Sequence, residues 1–255
     1  MILPFSSKKT EVEKGSPYLE KIGVDLHLHV LPGIDDGSPS MEESLQILAA
    51  HHRAGIRRIV ATPHIRAGMF PNDQYTIHAA WGKLIQSAAS RWPDLTITYA
   101  AEHFGDDHLM MLLEKGRILP LFDRYVLVET SMRTEEPHFT QVLQAMIDRN
   151  WQPVLAHPER YRPWQHRPER YAELREMGVI FQVNLLSLGG QYGPAEQNLA
   201  AQMIRQGWIG AVGTDLHRAS QYGYLERAAR TPEFELLFDL PLLNYLVPAH
   251  ETRNG

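Results

Sequence analysis

From Gly23 to Gly213 short apolar or β-branched runs alternate with longer stretches of helical period, and that alternation admits few folds. Repeated strand-then-helix units demand a largely parallel sheet. Seven strands are expected: Gly23 to His27, Arg58 to Thr62, Leu95 to Ala100, Tyr125 to Glu129, Pro153 to Ala156, Val179 to Asn184 and Ile209 to Gly213. The helix after the first opens on a Ser40-x-x-Glu43 capping box, carries Leu45, Leu48 and Ala49, and stops at Gly55. His138 to Asn150, Arg167 to Met177 and Pro194 to Gln206 carry similar apolar patterns. No Pro/Gly/Ser-rich linker splits the pattern, so residues 21–255 read as one domain behind a tail over residues 1–20. The expected architecture is a closed or nearly closed (β/α)7 barrel, with a doubly wound open sheet as the alternative.

In either architecture the βα loops converge at the C-terminal ends of the strands, and functional groups collect there. The first strand runs into Asp25-Leu26-His27-Leu28-His29, where alternation puts Asp25, His27 and His29 on one face. Others end in Thr62-Pro63-His64, Glu102-His103, Glu129, His157 and Asp215-Leu216-His217, and the sixth in Asn184. Six of the thirteen histidines (His27, His29, His64, His103, His157 and His217) therefore sit at strand tips. His51, His52, His78, His108, His138, His166 and His250 fall in helices, loops or the tail and read as solvated or structural. So many imidazoles and carboxylates exceed the three or four protein ligands of one catalytic ion, which implies two or three metals. Without cations, clustered carboxylates would also repel one another. Ligands of this kind suit Zn, Mn or Fe.

Gly33-Ile34-Asp35-Asp36-Gly37 is a turn, and because it follows the first ligand strand one aspartate is placed to serve as ligand or proton donor; Asp36 is the choice for the acid. Arg160 and Arg66 follow His157 and His64 closely and suit a phosphate at the mouth of the site, the alternative being rim ion pairs, with Glu159 the obvious partner for one of them.

Composition narrows the function. A net charge of −5 and no Lys/Arg block argue against sequence-independent nucleic-acid binding. There is no cysteine, which removes thiolate metal sites and a Cys-nucleophile phosphatase. The opening Met1 to Phe5 run is too short for a signal-peptide core, and no stretch approaches a membrane span, so a cytoplasmic protein is expected.

Asp25-Leu-His-Leu-His-Val-Leu-Pro-Gly-Ile-Asp-Asp-Gly37, Thr62-Pro-His64, Val128-Glu129, Leu155-Ala-His-Pro-Glu-Arg-Tyr161, Gln182-Val-Asn184 and Gly213-Thr-Asp-Leu-His217 together resemble the bacterial PHP-family protein tyrosine phosphatases of the CpsB/CapC and YwqE type. That resemblance implies a distorted (β/α)7 barrel of the PHP (polymerase and histidinol phosphatase) type holding two or three Mn2+ ions. It implies metal ligation by His27, His29, Asp36 or its neighbour Asp35, His64, Glu102, Glu129, His157, Asp215 and His217, and phosphate binding by Arg160. The implied partner is a phosphotyrosine-containing protein, the tail of a bacterial tyrosine kinase that regulates capsule or exopolysaccharide synthesis. Where some members carry a second phosphate-binding Arg several residues past the Asp-x-His pair, Arg218 here follows His217 directly, and it joins Arg66 and Arg160 as a substrate-binding candidate. His103 after Glu102 also departs from the apolar or aromatic residue expected there, and reads as an added supporting group or a rim side chain. The implied reaction is direct in-line hydrolysis without a phosphoenzyme. Competing readings are a histidinol-phosphate-like phosphatase, a polymerase-type PHP nuclease, which the charge disfavours, and a non-catalytic phosphotyrosine-binding module.

Overall fold

The computed structural model describes residues 17–248. One helical turn, α1 (Pro17–Glu20), leads into β1 (Val24–Leu28), α2 (Met41–Arg53), β2 (Arg58–Ala61), β3 (His64–Ile65) and α3 (Gln74–Ala88). Then come β4 (Thr96–Tyr99), β5 (Glu102–Phe104), α4 (Asp107–Glu114), β6 (Tyr125–Glu129), α5 (Phe139–Asp148) and β7 (Gln152–Ala156). The remainder is α6 (Pro168–Glu176), β8 (Ile180–Asn184), α7 (Leu185–Leu188), α8 (Pro194–Arg205), β9 (Ile209–Gly213), α9 (Tyr222–Ala228) and α10 (Pro232–Leu236). The expected tail ends early, because Leu19 of α1 and Ile22 are buried in the core. The Met1 to Phe5 run and His250 lie outside the described residues.

All strand pairs are parallel, as the alternation requires, but the sheet is split. One sheet has the order β1-β2-β4 and the other β3-β5-β6-β7-β8-β9. No closed barrel forms among the described residues, which corrects the expectation of a closed one. The break falls at Thr62-Pro63 and Ala100-Ala101, where two tracks expected to be single strands become β2 then β3, and β4 then β5. Pro63 has no N–H to give to a ladder. Among the described residues β1 meets the segment after β9 through a single bridge, Leu28 to Leu216, with backbone bonds from His29 N to Leu216 O (3.1 Å) and Asp215 N to His27 O (2.7 Å). At the other end Asn244 ties the same two strands together: its Oδ1 accepts from Val212 N, and its Nδ2 donates to the carbonyls of Val24 and Val212.

Two apolar layers follow from strand alternation. Val24, Leu26, Val60, Leu127, Val154, Ala156 and Ala211 pack against one another across the strands, and the opposite faces pack against the helices. Above that inner layer, at the C-terminal strand ends, the inner face turns polar.

On α2, Ser40 accepts from Glu43 N, but the Glu43 carboxylate accepts from Ala219 N at 2.7 Å, so the expected box closes on one side only. The helix buries Ile47, Leu48, Ala50 and His51, while Leu45 and Ala49 are half covered. His51 matters for β1, whose register against β2 slips between Asp25 and Leu28. Such a slip re-aims side chains. Asp25 therefore leaves the face of His27 and His29, against the alternation expectation. Its carboxylate accepts from His51 Nε2 (2.9 Å), Thr214 N (2.9 Å), Thr214 Oγ1 (2.6 Å) and His27 N (3.2 Å), fastening α2, β1 and the end of β9. Asp25→Ala strands these buried donors and is expected to destabilise by about 3 kcal/mol. Thermal unfolding checks it; the midpoint should fall by roughly 10 °C.

Candidate metal centre

His27 and His29 leave the tip of β1 fully buried, with their Nε2 atoms 3.1 Å apart. Each ring is set from behind. His27 Nδ1 meets Gln182 Oε1 at 2.7 Å, and His29 Nδ1 meets Asp35 Oδ2 at 2.8 Å. A ring whose Nδ1–H is donated presents a bare Nε2 lone pair, the form a metal needs. Room for the pair comes from two glycines: a Cβ on Gly213 would lie 2.4 Å from His27 Cβ, and one on Gly37 would lie 2.4 Å from His29 Cβ.

The other strand ends close on this pair. Glu102 Oε2 lies 3.3 Å from His27 Nε2, 3.2 Å from His29 Nε2 and 3.1 Å from His64 Nδ1, and Glu102 Oε1 lies 2.9 Å from His157 Nε2. Glu129 Oε1 is 3.0 Å from His64 Nδ1. Asp215 Oδ1 stands 3.5 Å from His27 Nε2 and 3.4 Å from His29 Nε2. Asp36 reaches His64 Nε2 at 3.4 Å and His217 Nε2 at 3.5 Å. Donor atoms fall into four overlapping groups among the described residues: His29, Asp36, His64, His217; His27, His29, Asp215; His27, Glu102, His157; and His64, Glu102, Glu129. All nine residues named as ligands from the sequence lie in these groups. Between the two aspartates of the turn, Asp36 faces the donors, while Asp35 braces His29 and accepts from Gly37 N.

Imidazoles and carboxylates at this site shift one another's ionisation. Burial disfavours charge on His29, but Asp35, Asp215 and Glu102 outweigh it and raise its pKa well above the usual imidazole range. His64 is raised likewise against burial, by Glu129 and Glu102. Conversely, burial pushes Glu102 and Asp215 up while the surrounding imidazoles, and Arg160 beside Asp215, bring both well below the carboxylate range. Glu102 Oε2, His64 Nδ1 and His157 Nδ1 are buried with no hydrogen-bond partner. Orphaned acceptors and facing imidazole nitrogens fit divalent metals, and the all-N/O donor set fits Mn, Fe or Zn. His157 and Asp215 also hold left-handed backbone angles, φ 36° and 56°, a strain that clusters at functional sites.

Around the mouth, Arg160 is nearest to the donors. Its NH1 donates to Asp215 Oδ2 at 2.6 Å, and its guanidinium stacks 4.0 Å from the Tyr192 ring. Its partner is thus Asp215, not Glu159. Glu159 is buried, accepts from Asn184 N and from Ser187 Oγ, and is pushed by burial up to about 7. Arg66 lies 3.9 Å over the Phe104 ring. Arg218 points its NH1 at the backbone carbonyls of Asp36, Gly37 and His217, tying down the Asp36 turn.

His103 differs from both sequence readings. Strand alternation turns it away from Glu102 into the core, where Nδ1 donates to Leu127 O and Nε2 accepts from Leu119 N. Burial lowers its pKa to about 4, which keeps it neutral. Sequence reasoning missed the supporting chain from His27 through Gln182 and Asn184 to Asp215, in which Gln182 Nε2 donates to Asn184 Oδ1 and Asn184 Nδ2 to Asp215 Oδ2. Tyr192, whose hydroxyl donates to Asp215 Oδ2 at 3.3 Å, was missed as well. The inward polar alternation of Gln182 and Asn184 was the available signal for the first; no local pattern marks the second.

Parallel strands ending in a shared His/carboxylate cluster define an α/β protein with a candidate multinuclear metal centre. The family model described as capsular polysaccharide synthesis, CpsB/CapC, matches residues 23–233, and the chain belongs to that family. It is 32% identical over 212 residues to the tyrosine-protein phosphatase CpsB of Streptococcus pneumoniae, covering 80% of this chain and 87% of that protein. To the tyrosine-protein phosphatase YwqE of Bacillus subtilis (strain 168) it is 27% identical over 222 residues, 86% of this chain and 87% of the other. Among solved structures it is similar to a chain from the crystal structures of YwqE from Bacillus subtilis and CpsB from Streptococcus pneumoniae, described as unique metal-dependent tyrosine phosphatases. That match has a TM-score of 0.79 and 26% identity over 88% of this chain and 93% of the other.

Proposed function

We propose that the protein is a metal-dependent tyrosine phosphatase that removes phosphate from a phosphotyrosine protein. The observation that carries this reading is the convergence of His27, His29, Asp36, His64, Glu102, Glu129, His157, Asp215 and His217 beside Arg160. These nine would hold two or three ions, Mn2+ by preference with Fe or Zn as substitutes. When bound there, divalent ions would supply Lewis acidity toward phosphoryl oxygens and would lower the pKa of water.

The chain's own groups do the rest. Burial works against the charge on Arg160, but the Asp215 and Glu159 carboxyl groups beside it keep the guanidinium protonated, and it gives the phosphoryl group donors beyond the one it spends on Asp215. Arg66 is the second substrate contact, and Arg218 fixes the Asp36 turn at the edge of the substrate. Burial opposes ionisation of Asp36, but His217 and His64 hold its carboxyl well below the usual range, which supports a ligand role ahead of proton donation to the leaving phenolate. That phenolate leaves readily, so the loss is small.

Counting β2 with β3 and β4 with β5 as single tracks supports reading the fold as a distorted (β/α)7 barrel of the PHP type, in one catalytic domain. No helix among the described residues is long and apolar enough to cross a membrane. A cytoplasmic protein acting on the tail of a tyrosine kinase that regulates capsule or exopolysaccharide synthesis is the biological assignment.

Phosphate release from a phosphotyrosine peptide and from histidinol phosphate, and strand cleavage of single-stranded DNA, each with metal-stripped protein plus and minus Mn2+, test the reading. Turnover of the peptide that needs Mn2+ and exceeds the other two supports it. Preference for histidinol phosphate or DNA keeps the metal chemistry and overturns the substrate, and binding of the peptide without turnover makes the chain a binding module.

A further inference from the structure

We propose that Arg133 and Arg162, together with Arg160, form a second anion subsite that takes an acidic side chain, phosphoryl or carboxylate, flanking the phosphotyrosine. This rests on the phosphotyrosine reading above. The loop after β6 supplies Met132 and Arg133, the loop after β7 supplies Arg160 and Arg162, and the segment before α8 supplies Tyr192; with Glu196 they line a pocket of about 300 Å3. That is the low end of the range for ligand pockets.

The pocket is built rather than incidental. Arg162 N donates to Met132 O at 3.2 Å, joining the two arginine loops, and Arg160 lies stacked on Tyr192 at 4.0 Å. Glu196, the one carboxylate in the lining, is engaged by Gln165 Nε2 at 3.2 Å. Nearby arginines are paired with acids, Arg167 with Glu135 at 2.7 Å and Arg170 with Glu173 at 3.2 Å. Arg133 and Arg162 are exposed and, among the described residues, their guanidinium groups make no ion pair or hydrogen bond. Acids outnumber bases in the chain, 30 to 25, so two unpaired arginines beside a third are not a by-product of a basic surface. Like charges gathered on one pocket repel unless an anion enters, and a guanidinium fork matches phosphoryl and carboxylate groups alike.

Arg160 belongs to both places. It contacts Asp215 of the metal groups and also lines this pocket, so the second anion lies next to the first. An extended peptide advances about 3.3 Å per residue, so an anion beside the phosphotyrosine belongs to a residue near it in sequence. Anions there tighten peptide binding, so the effect belongs in KM and weakens with salt.

The test compares three phosphotyrosine peptides on the Mn2+-loaded protein: one with neutral flanks, one with glutamates at the flanking positions, and one with a second phosphotyrosine. KM and kcat are measured for wild type, Arg133→Ser/Arg162→Ser and Arg133→Lys/Arg162→Lys, at low salt and at ~0.5 M salt. The expected result is a KM roughly tenfold lower for an anionic peptide than for the neutral one in wild type. This ratio should fall toward one in the serine variant and at high salt, and survive in part in the lysine variant. An advantage seen only with the second phosphate, or only with glutamate, identifies the source of the anion. Equal KM for all three peptides in wild type, or a ratio untouched by the serine substitutions, overturns the subsite while leaving the phosphatase reading in place. Absence of turnover with every phosphopeptide removes that reading, and the subsite with it.

Discussion

His27→Ala/His29→Ala should lower Mn2+-dependent phosphate release by on the order of 10^3-fold or more. Each imidazole belongs to two of the four donor groups, so the pair touches three of them: the one with Asp36, the one with Asp215 and the one with His157. The loss is therefore not that of one ion's fourth ligand. It also leaves Glu102 and Asp215 buried with fewer cationic neighbours, so the variant should melt lower and lose the stabilisation that added Mn2+ gives wild type. A supporting substitution makes the graded comparison. Gln182→Leu keeps every ligand but frees the His27 ring at Nδ1, and a loss of ten- to a hundredfold is expected. Steady-state rates across a Mn2+ titration separate the two, because weakened ligation in Gln182→Leu is recovered at high metal and a missing ligand pair is not.

Arg160→Ala should reduce kcat/KM for a phosphotyrosine peptide by roughly 10^2- to 10^3-fold with metal content unchanged. Arg160 touches the acid side of the centre through Asp215 Oδ2, which also accepts from Asn184 Nδ2 at 2.6 Å and from the Tyr192 hydroxyl. With two donors remaining on that oxygen, Asp215 stays in place when the guanidinium is removed. What is lost is the charge facing the phosphoryl group. Arg160→Lys should restore only part of it, since an ammonium has neither the planar fork nor the stacking surface that meets Tyr192 at 4.0 Å. Kinetics combined with metal analysis check this: a parallel fall in bound metal would make Arg160 a brace for Asp215 and nothing more.

Strand positions were legible because Tyr125 to Glu129 and Ile209 to Gly213 are apolar runs bounded by breakers, and both form strands over those residues. The places where alternation failed are the places where the backbone departs from a regular strand. Asp25 was assigned the face of His27 because period two was carried through a register slip that the sequence does not mark. His103 reads from the sequence as a supporting or rim group at a strand tip; because Glu102 and His103 are consecutive residues of the short strand β5, they face opposite ways and His103 enters the core instead. The split at Pro63 was written in the sequence as a proline, yet its effect on the sheet depends on what lies beside it. The braces Asp25 to Thr214, Gln182 to His27 and Arg218 to the Asp36 turn join residues far apart in the chain, and residue types alone carry no sign of such pairings. Ligands could be read because their chemistry is unusual at a strand end; of their supports, only the inward polar alternation of Gln182 and Asn184 left a trace, and it does not say which ligand each one braces.

The most direct test is elemental analysis of the protein after dialysis against Mn2+ and removal of free ion, beside His27→Ala/His29→Ala treated identically. About two to three ions per chain in wild type, at least one of them lost in the variant together with activity, is the result predicted by a shared His/carboxylate centre. Wild-type protein retaining less than one ion per chain, or the same metal content in both proteins, would contradict it.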